Sequence, residues 1–159
     1  MSANQQIAIP SVNHKYKDRL FRRIFNNPES LLTLYNAING TSYHNPEDLI
    51  INTLEDAIYL SMKNDLSFII YDELNLFEHQ STLNQNMPLR GLLYFAELLK
   101  KYIAEKNLDM CSSARLSLPF PRFVVFYNGS APYPERGEML LSSSYETAHV
   151  QNKEPALEC

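Results

Sequence analysis

The chain has 159 residues, of which 45% are hydrophobic and 20% charged, the balance of one globular domain rather than of a disordered chain. A formal charge of −4 and an isoelectric point near 5.5 argue against a generally basic, nucleic-acid-coating surface. No apolar run approaches the roughly 20 residues needed to cross a bilayer.

Residues 1–13 are polar, contain a Pro and carry no apolar signal core, so they are expected to form a flexible arm. From Lys15, the residues Leu20, Phe21, Ile24 and Phe25 recur at spacings of three and four, predicting an amphipathic helix that ends near Asn26 and Asn27. This segment holds five basic residues, Arg19, Arg22 and Arg23 among them, against Asp18 alone. It is therefore either a solvated face or a local phosphate-binding patch. Pro28 starts a second helix, "PESLLTLYNAING", and Gly40 terminates it.

"TSYHNPEDL" reads as a loop, and a strand-forming stretch is expected around Ala57 to Met62. A hairpin follows, with Leu66 to Ile70 leading in and Leu74 to Phe77 returning. "PLRGLLYFAELLKKYIAEKN" is the clearest helix, with Leu92, Phe95, Leu99 and Tyr102 on one stripe. "PRFVVFYNG", residues 121–129, predicts a buried strand closed by a turn. The polar residues 135–159 read as a tail or as the start of a truncated C-terminal region. Cys111 and Cys159 lie far apart without metal-ligand spacing, which fits reduced thiols and a cytoplasmic location. The coarse order calls for an α/β fold with helices on both sides of a mixed sheet.

The hairpin carries the residues of chemical interest. With Asp72 and Glu73 as the two central turn residues, Asp65 faces Gln80 and Ser67 faces Glu78, and all four project from one sheet face. The two carboxylates are then diagonal neighbours that one divalent cation could bridge. Mg²⁺ takes one or two protein carboxylates and leaves the rest of its shell to water and phosphate oxygens, so this pair suits phosphodiester hydrolysis. Spacing alone favours the plainer reading, an exposed acid at one strand's start and a polar end on the other. His79 points away from the acid face in this register.

Read together, "KDRLFRRIF", "EHQST" with an Asp thirteen positions before its Glu, "MPLRGLLYFAELLKKYI" and "PFPRFVVFYNG" resemble the PD-(D/E)XK nuclease family transposases, relatives of the recombination-promoting nuclease (Rpn) group. The resemblance runs from about Tyr16 to Pro134 and joins four separated motifs in the family's order. It implies a restriction-endonuclease-like core over residues 14–134, a central mixed β-sheet flanked by helices, lacking the C-terminal part. It also implies a DNA endonuclease that uses Mg²⁺, with Mn²⁺ as an acceptable substitute. Asp65 and Glu78 match the metal-binding acids, and Gln80 stands where the wider superfamily has a catalytic Lys. Asp18 matches an acid of the opening helix, and Arg19, Arg22 and Arg23 are candidates for DNA contact. DNA is the expected partner, without a membrane, and a homo-oligomer is compatible with the sequence. The alternative is a catalytically silent, truncated relic that acts as a nucleic-acid-binding or protein-interaction module.

Overall fold

The computed structural model describes residues 14–53 and 64–146, with side chains in the first helix from Leu20 onward. Among them, α1 (His14–Phe25) and α2 (Pro28–Asn39) precede a short strand β1 (Leu49–Ile51). The hairpin β2 (Leu66–Ile70) and β3 (Glu73–Gln80) comes next, then α3 (Met87–Glu105) and β4 (Phe120–Tyr127). The strands form one sheet in the order β1-β2-β3-β4, antiparallel except for the parallel pair β3 and β4. The α/β class, with a mixed sheet and flanking helices, is as expected from the sequence.

Local chemistry explains the helix boundaries. The Asn27 side chain accepts a hydrogen bond from the Ser30 amide at 2.8 Å, satisfying a donor that the first turn of α2 would otherwise leave open. At the other end Gly40 adopts φ 66°, the left-handed conformation in which a glycine closes a helix without steric cost. The strand expected around Ala57 to Met62 lies outside the described residues. Strand β1, which the reading of 41–49 as a loop passed over, begins at Leu49 behind a 3-10 turn capped by Asn45.

Side-chain alternation divides the sheet into two faces. On one, Leu66, Phe68, Ile70 and Phe77 bury against Leu31, Leu32 and Tyr35 of α2, with Phe21 and Phe25 of α1 closing the edge. On the other, Leu74 and Leu76 pack beneath Tyr94 and Leu98 of α3. The deepest stripe of α3 is Met87, Gly91, Tyr94 and Leu98, one position from the predicted stripe, whose Leu92, Phe95 and Leu99 form its half-buried shoulder. Strand β4 is half-buried along most of its length, not buried as its composition suggested, because it lies at the rim of the sheet. None of the helices among the described residues is long and apolar enough to cross a membrane.

Far from the acids of the hairpin's open end, Glu73 is held in a satisfied polar cluster. Arg122 donates to both its carboxylate oxygens, at 3.1 and 2.7 Å, and the Tyr35 hydroxyl donates at 2.8 Å. The Arg122 hydrogen bonds hold the Glu73 carboxyl below the usual range, while burial, aided by Glu73, pushes the Tyr35 hydroxyl up to about 12. This bidentate pair fastens β4 to the hairpin.

Helix α3 approaches β4 closely at Gly91, where an added Cβ would sit 2.5 Å from the Phe123 ring. Gly91→Ala is therefore expected to lift the helix or displace the ring, costing about 1–3 kcal/mol of stability. Urea denaturation of the variant beside the wild type measures it.

Candidate functional site

The register of the hairpin decides where the acids meet. Ile70 pairs with Glu73 and Leu66 with Phe77, so Tyr71 and Asp72 are the two central turn residues, Tyr71 at φ 51°. The turn expected at Asp72 and Glu73 thus lies one residue earlier, which slides the cross-strand pairing by two positions. Ser67 faces Leu76 rather than Glu78, and the next step of the register brings Asp65 beside Glu78 rather than Gln80. A shift of two preserves side-chain parity, so Asp65, Glu78 and Gln80 still belong to one face.

Beyond Leu66 the ladder is continued by side chains. The Asp65 amide donates to Glu78 Oε1 at 2.8 Å, and the His79 amide donates to Asp65 Oδ2, also at 2.8 Å. Each carboxylate thus takes a backbone N–H from the other's strand, where a plain hairpin would use carbonyls. The clasp brings two negative groups together in a largely enclosed place, the Asp65 side chain being 12% exposed and Glu78 2%.

Two arginines face this pair from opposite sides of the sheet. Arg22 of α1 donates through Nε to Asp65 Oδ1 at 3.3 Å and through Nη2 to the Asn64 carbonyl at 2.6 Å. Arg90 of α3 donates through Nη2 to Glu78 Oε2 at 3.3 Å and to the Tyr94 hydroxyl at 2.8 Å. Their charges do not balance the enclosure. Burial, reinforced by the negative Asp65, pushes the Glu78 carboxyl up to about 7, against the pull of the Asp65 amide, Arg90 and Arg22.

The other expected residues divide. Gln80 ends β3 on the Glu78 side, paired with Tyr127 of β4, and its carbonyl accepts from the Asn128 amide at 3.1 Å. It lines an open cleft with Met87, Pro88 and Tyr127. Arg22 turns inward onto Asp65, whereas Arg23 is exposed. The side chains of Asp18 and Arg19 fall outside the described residues. His79 lies on the opposite face, as expected, stacked on Phe21 at 5.6 Å. Sequence reasoning missed Arg90 and Tyr94. The signal was present, since Arg90 is the first charge in the apolar start of α3 and Tyr94 stands one turn beyond it.

The donor set fits a hard divalent cation. Both groups are carboxylates, Asp65 Oδ1 and Glu78 Oε2 each meet an arginine at 3.3 Å, and a cation would relieve the like-charge crowding that adds to burial in lifting Glu78. Among the described residues no group of three or more His, Cys, Asp and Glu converges, and Mg²⁺ does not require one. In comparisons with known proteins, no family model, no curated protein and no solved structure matches the chain.

The raised Glu78 pKa has a stability consequence with a definite sign. Between its ordinary value of 4.5 and about 7 the folded chain holds a proton that the unfolded chain releases, so this residue's contribution to stability falls as pH rises through that window. Glu78→Gln keeps the neutral shape, so it is expected to be the more stable protein above pH 7, by roughly 3 kcal/mol or less, and to lose that advantage near pH 4.5. Urea denaturation across this range tests it.

Proposed function

We propose that the chain is a Mg²⁺-dependent DNA endonuclease of the transposase and recombination-promoting kind that its motifs resemble, hydrolysing phosphodiester bonds. The observation that carries this reading is the clasped pair Asp65 and Glu78, two carboxylates forced together at the end of the central hairpin with one of them held near neutrality. Folds seldom retain an arrangement that costs stability unless a ligand repays it.

Asp65 and Glu78 would hold the cation, Mn²⁺ serving in place of Mg²⁺. When bound, such an ion neutralises phosphate charge and lowers the pKa of an attacking water. Glu78 must give up its proton to act as a ligand, so cation affinity should rise with pH up to about 7 and level off above it. Gln80, on the same face at the end of β3, would orient water or phosphate through its amide. It adds no charge, unlike the Lys of the wider superfamily. The core then serves as a restriction-endonuclease-like scaffold, with Arg23 exposed on α1 for phosphate contact.

A second reading has its own support. The clasp and the two arginines are sufficient to end a hairpin neatly, which suits a silent relic that binds nucleic acid or protein without cleaving. Plasmid nicking in Mg²⁺ separates the two. The nuclease reading expects Asp65→Ala and Glu78→Ala to reduce nicking by at least about 100-fold, whereas undiminished nicking by either variant places the chemistry elsewhere. Calorimetric titration with Mg²⁺ that gives no binding heat favours the relic.

A further inference from the structure

Arg90 and Arg122 both contact a glutamate of β3, and the two pairs differ in a way that points to use. Arg122 meets Glu73 with two short hydrogen bonds and is a finished pair. Arg90 meets Glu78 with one contact of 3.3 Å, although Glu78 is the more deeply buried acid. The Arg90 guanidinium is nevertheless well fixed. Its Nη2 donates to the Tyr94 hydroxyl at 2.8 Å, its Nη1 lies 3.5 Å from Met87 Sδ, and its side chain is 26% exposed. Planar, permanently charged and partly open to solvent, it is held by Tyr94 and Met87 with a single longer contact to Glu78, while its Nε takes part in none of these contacts.

Arg22 differs again. Its 2.6 Å bond to the Asn64 carbonyl ties it to the backbone where the chain enters β2, so it is a clamp on the hairpin. Of the two arginines described beside the acids, Arg90 stands on α3, over the face shared by Glu78 and Gln80. Gln80 leaves that face without the positive charge a phosphate would need.

Resting on the nuclease reading, we infer that Arg90 is the phosphate-binding cation of this site. It would leave Glu78 Oε2 when a cation is bound and donate to a non-bridging oxygen of the DNA backbone, with the Tyr94 hydroxyl holding it in place. A planar fork of N–H donors suits a phosphodiester, and stabilising charge that develops on phosphate oxygens acts on the rate more than on ground-state affinity.

Wild type, Arg90→Ala, Arg90→Lys, Tyr94→Phe, Asp65→Ala and the surface control Lys100→Ala are compared by three measurements. These are Mg²⁺ calorimetry near pH 8, plasmid nicking over a range of DNA concentrations, and binding of a short fluorescein-labelled duplex in Ca²⁺. Arg90→Ala is expected to bind Mg²⁺ like the wild type yet lose about 100-fold in the nicking rate at saturating DNA. Arg90→Lys should recover part of that loss, Tyr94→Phe should lie between it and the wild type, and Lys100→Ala should match the wild type. Wild-type nicking that Asp65→Ala abolishes and Arg90→Ala leaves intact overturns this inference and spares the nuclease reading. Loss of Mg²⁺ binding in Arg90→Ala also overturns it, because Arg90 would then only be positioning Glu78. Should the wild type not nick, duplex binding weakened by Arg90→Ala supports the phosphate contact without hydrolysis, and unweakened binding overturns both.

Discussion

A carboxylate that accepts a backbone N–H from the facing strand, while its partner does the same in return, binds two negative charges to a single geometry. In this protein the exchange between Asp65 and Glu78 fixes the open end of the β2-β3 hairpin. The surrounding polar architecture answers to it. Arg22 reaches in from α1 to Asp65 and Arg90 from α3 to Glu78. The hydrophobic packing of both sheet faces sets the height of those helices and so the reach of each guanidinium. Coulomb attraction at such distances offsets only part of the cost of burial, which is why the Glu78 carboxyl is raised to about 7.

The same sheet holds a second acid under opposite terms. Glu73, at the turn end of β3, is satisfied by Arg122 and Tyr35, and its pKa moves down, whereas that of Glu78 moves up. Two glutamates five residues apart on one strand are thus sorted by their neighbours into an ordinary structural ion pair and an underneutralised one. The contrast arises from the surroundings alone: Arg122 and Tyr35 donate to Glu73, whereas Glu78 is buried beside the negative Asp65.

Much of this was legible in the residues. Asn27, Pro28 and Gly40 bracket α2 by chemistry that acts within a few residues, and the alternating hairpin announces itself by period. Parity placed Asp65, Glu78 and Gln80 on one face. The turn was misplaced because Tyr71 occupies a left-handed conformation that its side chain does not advertise, whereas Asp72 and Glu73 look like turn residues. The half-exposure of β4 was hidden for another reason: Phe123 to Phe126 are as apolar as a central strand, and only the strand order reveals the rim. Arg90 escaped because its partners lie in other elements, and a single charge in an apolar helix does not say which way it faces.

The sheet's mixed pairing also governs the order in which this charge cluster can be built. The clasp joins residues 13 and 14 apart in sequence, whereas the Arg122 bridge that fastens β4 spans 49. Loop-closure entropy therefore favours the hairpin before the parallel strand, with α3 settling onto the sheet as β4 arrives. Asp65 and Glu78 first meet while water still bathes them, when like charges repel weakly. The full desolvation penalty falls on the last stage, when helix and edge strand close over an acid already held by the opposite strand's amide. A proton taken up at that moment would ease the final step, making the late folding rate, rather than the early one, the stage at which solution acidity is felt.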